Sequence, residues 1–261
     1  MNESPSLADW LAQEPFTLAL SAGFFSFFAH TGLLLALERH GLRPRRVVGV
    51  SAGALAGGLW ASGLPARQIA DRLLALRRAD FWDPGVPLGG LIKGRKFDDL
   101  LREVAPVEQI EEGPTAFAAV AYDVLRWRTV VLDRGPITGA IRASCAVPGM
   151  FRPVWHQRRL LVDGGVTDRC GEAALAPGER LVMYYMPSSR TPSAARGKEI
   201  EATRARWAGP RCAFLDGAGL PAVGPFKLER GAAALQQGLE VGLRRLEAPV
   251  ADLLAAPAGP R

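Results

Sequence analysis

Cysteine, histidine and long apolar runs are all scarce in this sequence. Of its 261 residues, three are cysteine and three histidine. Cys145, Cys170 and Cys212 are odd in number and far apart, which argues against both a disulfide framework and a zinc-binding spacing. His30, His40 and His156 show no metal-ligand spacing either, and neither a metal nor another cofactor is expected. No apolar run reaches the ~18 residues that span a bilayer. The richest stretch, 24–37, is interrupted by Ser26, His30, Thr31 and Gly32. The opening MNESPSLADW lacks the basic n-region of a signal peptide, so a cytoplasmic protein is expected, at most peripheral to a membrane. No internal repeat and no convincing linker divides the chain, so residues 1–261 read as one domain with frayed ends, the tail AAPAGPR among them.

What is abundant is apolar residues, 48%, and arginine. The first marks a globular chain with a substantial core. The formal charge is +6 and the pI about 9.7. The arginines come in scattered pairs, 45–46, 77–78, 158–159 and 244–245, rather than in a dense run, so no nucleic-acid partner is expected. The pairs suit either a solvated surface or transient contact with an anionic membrane, where each cation contributes about 1 kcal/mol. Oligomeric state is not legible.

Strand-like and helix-like segments alternate. FTLALS (16–21) and RVVGV (46–50) read as buried strands with a helix between them, roughly 25–39. A small-residue helix follows from 52. An amphipathic helix over 66–79 places Ile69, Leu73, Leu74 and Leu76 at near-helical spacing. Residues 81–96 carry two prolines and four glycines and read as a loop bearing Phe81, Trp82, Leu88, Leu91 and Ile92. A helix at FDDLLREV, a strand pair joined near Asp123, a helix over 137–146, and strands at RRLLVDGG and RLVMYYM follow. Residues 187–226 read as irregular. A last helix over about 227–246 carries a core-packing stripe of Leu228, Leu235, Leu239, Leu243 and Leu246. The alternation predicts an α/β fold with a mainly parallel sheet between helices.

Gly49-Val50-Ser51-Ala52-Gly53 falls between a strand and a helix. G-x-S-x-G arises by chance in roughly one chain in ten of this length, so context must decide. Here a sharp strand-to-helix turn would lift the Ser51 hydroxyl above the carboxyl edge of the sheet, and Gly49 and Gly53 would let neighbouring elements approach. The residue is either a nucleophile or a structural turn serine. A nucleophilic serine needs a base. His156 is the only later histidine, and no histidine follows an acid such as Asp163, so a Ser-Asp-His order fails. The other candidate is Asp163, at the end of a strand and followed by Gly164 and Gly165. It is either a base that reaches Ser51 or a turn aspartate bonded to its own backbone.

Three segments stand in order: LALSAGFFSFFAHTGLLLALE, GVSAG and AIRASCAVPGMFRPVWHQRRLLVDGG. Together they resemble the patatin-like phospholipase family over residues 16–168. The resemblance implies a three-layer α/β/α sandwich and lipid acyl hydrolysis by a Ser–Asp dyad, with a lipid or phospholipid as substrate. Ser51 matches the nucleophile and Asp163 the base, first residue of a D-G-G/A motif. The RASCAVPGMF segment matches the family's stretch before that aspartate, which the resemblance implies helps shape the pocket. The family's oxyanion loop, G-G-G-x-R/K-G, falls on Ala22–Phe27, where only Gly23 is kept. Main-chain N–H groups of Gly23, Phe24 and Ala52 are the expected oxyanion donors. A drifted loop, with Phe24 and Phe27 unable to take glycine-type angles, would leave a catalytically impaired lipid-binding protein. An acyltransferase or thioesterase would use the same dyad with another acceptor. Of Phe24, Phe25, Phe27 and Phe28, some should pack in the core and one could line an acyl pocket, since successive helical residues diverge by 100°. His30 reads as a packing residue.

Overall fold

The computed structural model describes residues 4–85, 89–188, 191–207 and 209–254. In chain order the elements are α1 (Leu7–Ala12), β1 (Thr17–Leu20), α2 (Phe27–Arg39), β2 (Arg46–Val50), α3 (Ala52–Ala61), α4 (Ala66–Ala75), α5 (Arg78–Phe81), β3 (Gly90–Ile92), α6 (Arg95–Val104), β4 (Ala116–Asp123) and β5 (Arg128–Leu132). Then come α7 (Ile137–Ser144), β6 (Gly149–Phe151), β7 (Val154–His156), β8 (Arg159–Asp163), β9 (Leu181–Tyr185), α8 (Ser193–Arg206), β10 (Cys212–Asp216) and α9 (Gly231–Glu247).

An eight-stranded sheet is ordered β10-β9-β1-β2-β4-β8-β7, with β5 also on β4. From β10 to β4 all pairings are parallel, and around β4, β5, β8 and β7 they are antiparallel. The parallel strands are buried on both faces, as their unbroken apolar composition requires. One core lies between the sheet and α2, α3, α4, α7 and α9; a second lies on the other face, beneath α8 and the segment around Ala174. This is the expected α/β/α sandwich. Gly32 and Gly238 let α2 and α9 cross closely: a Cβ on Gly32 would stand 2.5 Å from the Leu235 carbonyl oxygen, and one on Gly238 would stand 2.7 Å from that of Ala29. Leu235, Leu239 and Leu246 of the expected α9 stripe are buried, while Leu228 and Leu243 pack at its margin. Among the described residues no helix is long and apolar enough to cross a membrane.

Several expectations need correction. Residues 187–226 are not irregular: they contain α8 and the edge strand β10. α8 buries only Ile200 fully, so its sequence has no apolar stripe to announce it. The segment 66–79 is two helices, parted at Leu76 and Arg77, and Leu74 faces solvent. The 81–96 loop includes β3, which pairs with β6; Leu88 lies outside the described residues, as does the tail 255–261. α2 begins at Phe27 rather than 25, because Phe25 has a φ of 57°.

Candidate active site

The strand β2 delivers Ser51 to the carboxyl edge of the parallel sheet, where α3 starts at the next residue. Ser51 has φ 54° and ψ −119°, a conformation that costs a non-glycine residue on the order of 1–3 kcal/mol. It persists because its backbone is held at both ends. The Ser51 N–H donates to Ser144 Oγ at 2.9 Å, and the Ser144 hydroxyl donates to the Val120 carbonyl at 2.6 Å. The Ser51 carbonyl accepts from Leu55 N–H at 3.0 Å and from Cys145 Sγ at 3.1 Å. Gly53 is needed for packing: a Cβ there would lie 2.1 Å from the Leu20 carbonyl oxygen of β1. One on Gly49 would lie 2.5 Å from Ala54 Cα.

Asp163 arrives from the other direction. β5 covers residues 119–123 of β4, so β2, paired with residues 116–120, and β8, paired with residues 121–123, share the opposite edge. The two strands meet there end to end. Val50 faces Val120, the chain then turns off at Ser51, and Asp163 takes the next place, facing Ala121. Gly164 makes the sharp exit possible, since its Cβ would stand 2.3 Å from the Val120 carbonyl oxygen. The Asp163 N–H donates to the Ala146 carbonyl at 3.0 Å, and Oδ1 accepts from Gly165 N–H at 2.7 Å. Among the described residues the buried Oδ2 has no close hydrogen-bond partner, while the Ser51 hydroxyl neighbours the carboxyl and favours its ionised form. Burial pushes the Asp163 carboxyl up to about 6, against the opposing pull of Ser51, Gly165 N–H and Arg169.

Ser51 lies in the wall of an apolar cavity of about 630 Å³ together with Gly23, Phe24 and Ala52. Leu55, Leu59, Ile69, Leu73, Phe97 and Met150 form much of its lining. Among the described residues no hydrogen bond is donated by the N–H groups of Gly23, Phe24 or Ala52. They are free donors beside the serine, and Ala52 opens α3, whose N-terminus favours negative charge. In the loop 22–27 the strained residue is Phe25, not Phe24 or Phe27. Phe27 and Phe28 are buried, Phe25 is half-buried, and Phe24 is exposed at the cavity wall.

The histidines stand apart from this chemistry. His30 Nε2 donates to the Ser21 carbonyl at 3.0 Å, and burial lowers its pKa to about 4, so it is a neutral packing residue. His156 packs against α7, where a Cβ on Gly139 would lie 2.6 Å from its Nδ1. Sequence reasoning missed Ser144 and Cys145 as braces of the turn. Both lie in the RASCAVPGMF segment, whose resemblance pointed to the pocket wall but not to a bond with the Ser51 backbone.

A family profile described as patatin-like phospholipase matches residues 18–175. An uncharacterized NTE family protein of Mycobacterium bovis is 35% identical over 170 residues, covering 61% of this chain and 45% of that protein. The lysophospholipase NTE1 of Scheffersomyces stipitis is 28% identical over 174 residues, covering 64% of this chain and 11% of that protein. The chain thus spans less than half the length of these curated relatives. Among solved structures, VipD from Legionella pneumophila superposes with a TM-score of 0.66 at 14% identity, over 90% of this chain and 67% of that one, a likeness of fold. Profile, fold and the order of the matched segments agree that the chain belongs to the patatin-like phospholipase family.

Proposed function

We propose that the chain is a serine lipid acyl hydrolase that cleaves fatty-acyl esters through Ser51 and Asp163. The observation that carries this reading is the meeting of β2 and β8 on one edge of β4, which brings a strained serine and a buried carboxylate together beside an apolar cavity. Above a pH of about 6 Asp163 is ionised and can take the Ser51 proton as the hydroxyl attacks the ester carbonyl. The carbonyl oxygen gains negative charge, and the amides of Gly23, Phe24 and Ala52 are the donors available to it. Collapse breaks the ester C–O bond, the alcohol leaves with the proton held by Asp163, and an acyl-serine remains. Water then gives a proton to Asp163, attacks the acyl carbon and releases a fatty acid, and the proton returns to Ser51. The cavity's apolar walls suit the acyl chain.

The test is turnover of long-chain acyl esters by the parent chain, Ser51→Ala and Asp163→Asn. Both variants should be inactive, and His156→Ala should keep parental activity. Hydrolysis that survives Ser51→Ala ends this reading. The altered loop with its strained Phe25 supports one rival, a lipid-binding protein without turnover. Labelling of Ser51 by a fluorophosphonate separates the two: the hydrolase labels, the binder does not.

A further inference from the structure

Five described non-glycine residues have positive φ. Phe25 and Ser51 belong to the site above. The other three, Trp127, Gln157 and Arg158, lie in the tips of the β4–β5 and β7–β8 hairpins. Such tips ordinarily hold glycine or asparagine, which tolerate the left-handed region. Here the chain places a tryptophan and an arginine there instead. Trp127 is 81% exposed, Trp155 66% and Leu125 59%.

The two tips are neighbours. Val124 N–H donates to the Leu160 carbonyl at 3.0 Å, and Leu160 stands opposite Trp155 in the β7–β8 ladder. Residues 123–128 and 155–159 bring four arginines against one carboxylate, that of Asp123. Arg126 is ion-paired with Asp123, whereas among the described residues Arg128, Arg158 and Arg159 have no ion pair. The β4–β5 hairpin also overhangs the edge of the sheet that bears Ser51. β4 pairs with β2 only as far as Val120, then runs on to Asp123 before it turns.

We propose that these two hairpin tips dock the protein on the surface of an anionic phospholipid bilayer, at the sheet edge that bears Ser51. The proposal rests on the lipid-hydrolase reading for its purpose, though not for its evidence. Tryptophan prefers the headgroup level of a bilayer, where its ring is half apolar and half wet. Unpaired guanidinium groups add attraction to lipid phosphate, about fivefold in binding for each arginine. Apolar and cationic signals together give the reversible surface attachment that neither gives alone.

The experiment uses the full chain as Ser51→Ala, so that vesicles survive the assay, in co-sedimentation with phosphatidylcholine vesicles with and without phosphatidylglycerol. Binding should need phosphatidylglycerol and should weaken with salt. The added pair Trp127→Gly and Arg158→Gly suits both backbone conformations, so the melting temperature should not fall, while partitioning should drop about tenfold or more. Unchanged partitioning of that variant, equal binding to neutral vesicles, or retention only by nucleic acid or acidic protein overturns the proposal. The same pair in the Ser51 background should hydrolyse a soluble short-chain ester at the parental rate. If the parent binds anionic vesicles but no ester is cleaved, the hydrolase reading fails and the docking surface stands. If esters are cleaved and vesicles ignored, the docking surface alone fails.

Discussion

Val50 and Asp163 occupy consecutive places on one edge of β4, the first opposite Val120 and the second opposite Ala121. Ser51 leaves the ladder at the point where Asp163 enters it. Hydroxyl and carboxyl are therefore positioned by backbone ladders and not by two independent loops.

Ser144 bridges the turn and the strand beneath it, accepting from Ser51 N–H and donating to the Val120 carbonyl. Ser144→Ala leaves both backbone groups without that partner, a loss of about 1–3 kcal/mol. On the proposed hydrolase reading, ester kinetics should show kcat down about tenfold or more with KM little changed, because the Ser51 hydroxyl is displaced while the apolar cavity is intact. A variant with parental kcat and parental melting temperature would remove Ser144 from this role.

The fluorophosphonate labelling rate of Ser51 should track ionisation of Asp163. Because burial raises that carboxyl to about 6, labelling should be fast at pH 8 and fall as pH drops through about 6. A profile with its midpoint near 4, the ordinary carboxylate range, would contradict the upward shift of Asp163.

The same shift carries a stability consequence. The folded-state pKa of Asp163 lies above its unfolded value of 3.8, so ionising it disfavours the fold, by about 3 kcal/mol once pH is well above 6. Asp163→Asn should melt higher than the parent at pH 8, and the gap should close as pH falls toward 4. His30 has the opposite sign: its folded pKa is depressed to about 4, so its stabilising contribution is lost as pH falls from 6.5 toward 4. His30→Gln, which keeps a donor for the Ser21 carbonyl, should flatten that acid-side loss in a pH series of melts. Equal melting of Asp163→Asn and parent at pH 8, or an unaltered acid limb in His30→Gln, would contradict these assignments.

Strain at Ser51 is also measurable. Ser51→Gly and Ser51→Ala both remove the hydroxyl, but only glycine relaxes the positive φ. The glycine variant should be the more stable of the two by about 1 kcal/mol or more in chemical denaturation. Equal stability would show that the turn is unstrained.

Much of this could be read from the residues alone. β-branched runs before Ser51 and apolar runs before Asp163 gave strands, glycines after each gave turns, and the alternation of elements gave the sandwich. Three of the features that escaped did so for separate reasons. α8 exposes most of its surface, so it lacks the stripe that betrays a helix. β10 is a short edge strand whose partner, β9, lies well back in the chain. The shared edge of β4 is a matter of register between distant segments, which composition does not encode. In the loop 22–27 the sequence located the departure from a glycine-rich pattern, but only backbone angles showed that Phe25 absorbs it.

The end-to-end abutment of β2 and β8 has a kinetic corollary. Ser51 and Asp163 cannot meet until β4 has accepted both strands, one in parallel and one in antiparallel sense, and such long-range pairings close late. If the proposed hydrolase reading holds, regain of ester turnover during refolding should lag behind regain of helical signal, which makes recovery of activity a clock for the last step of sheet assembly.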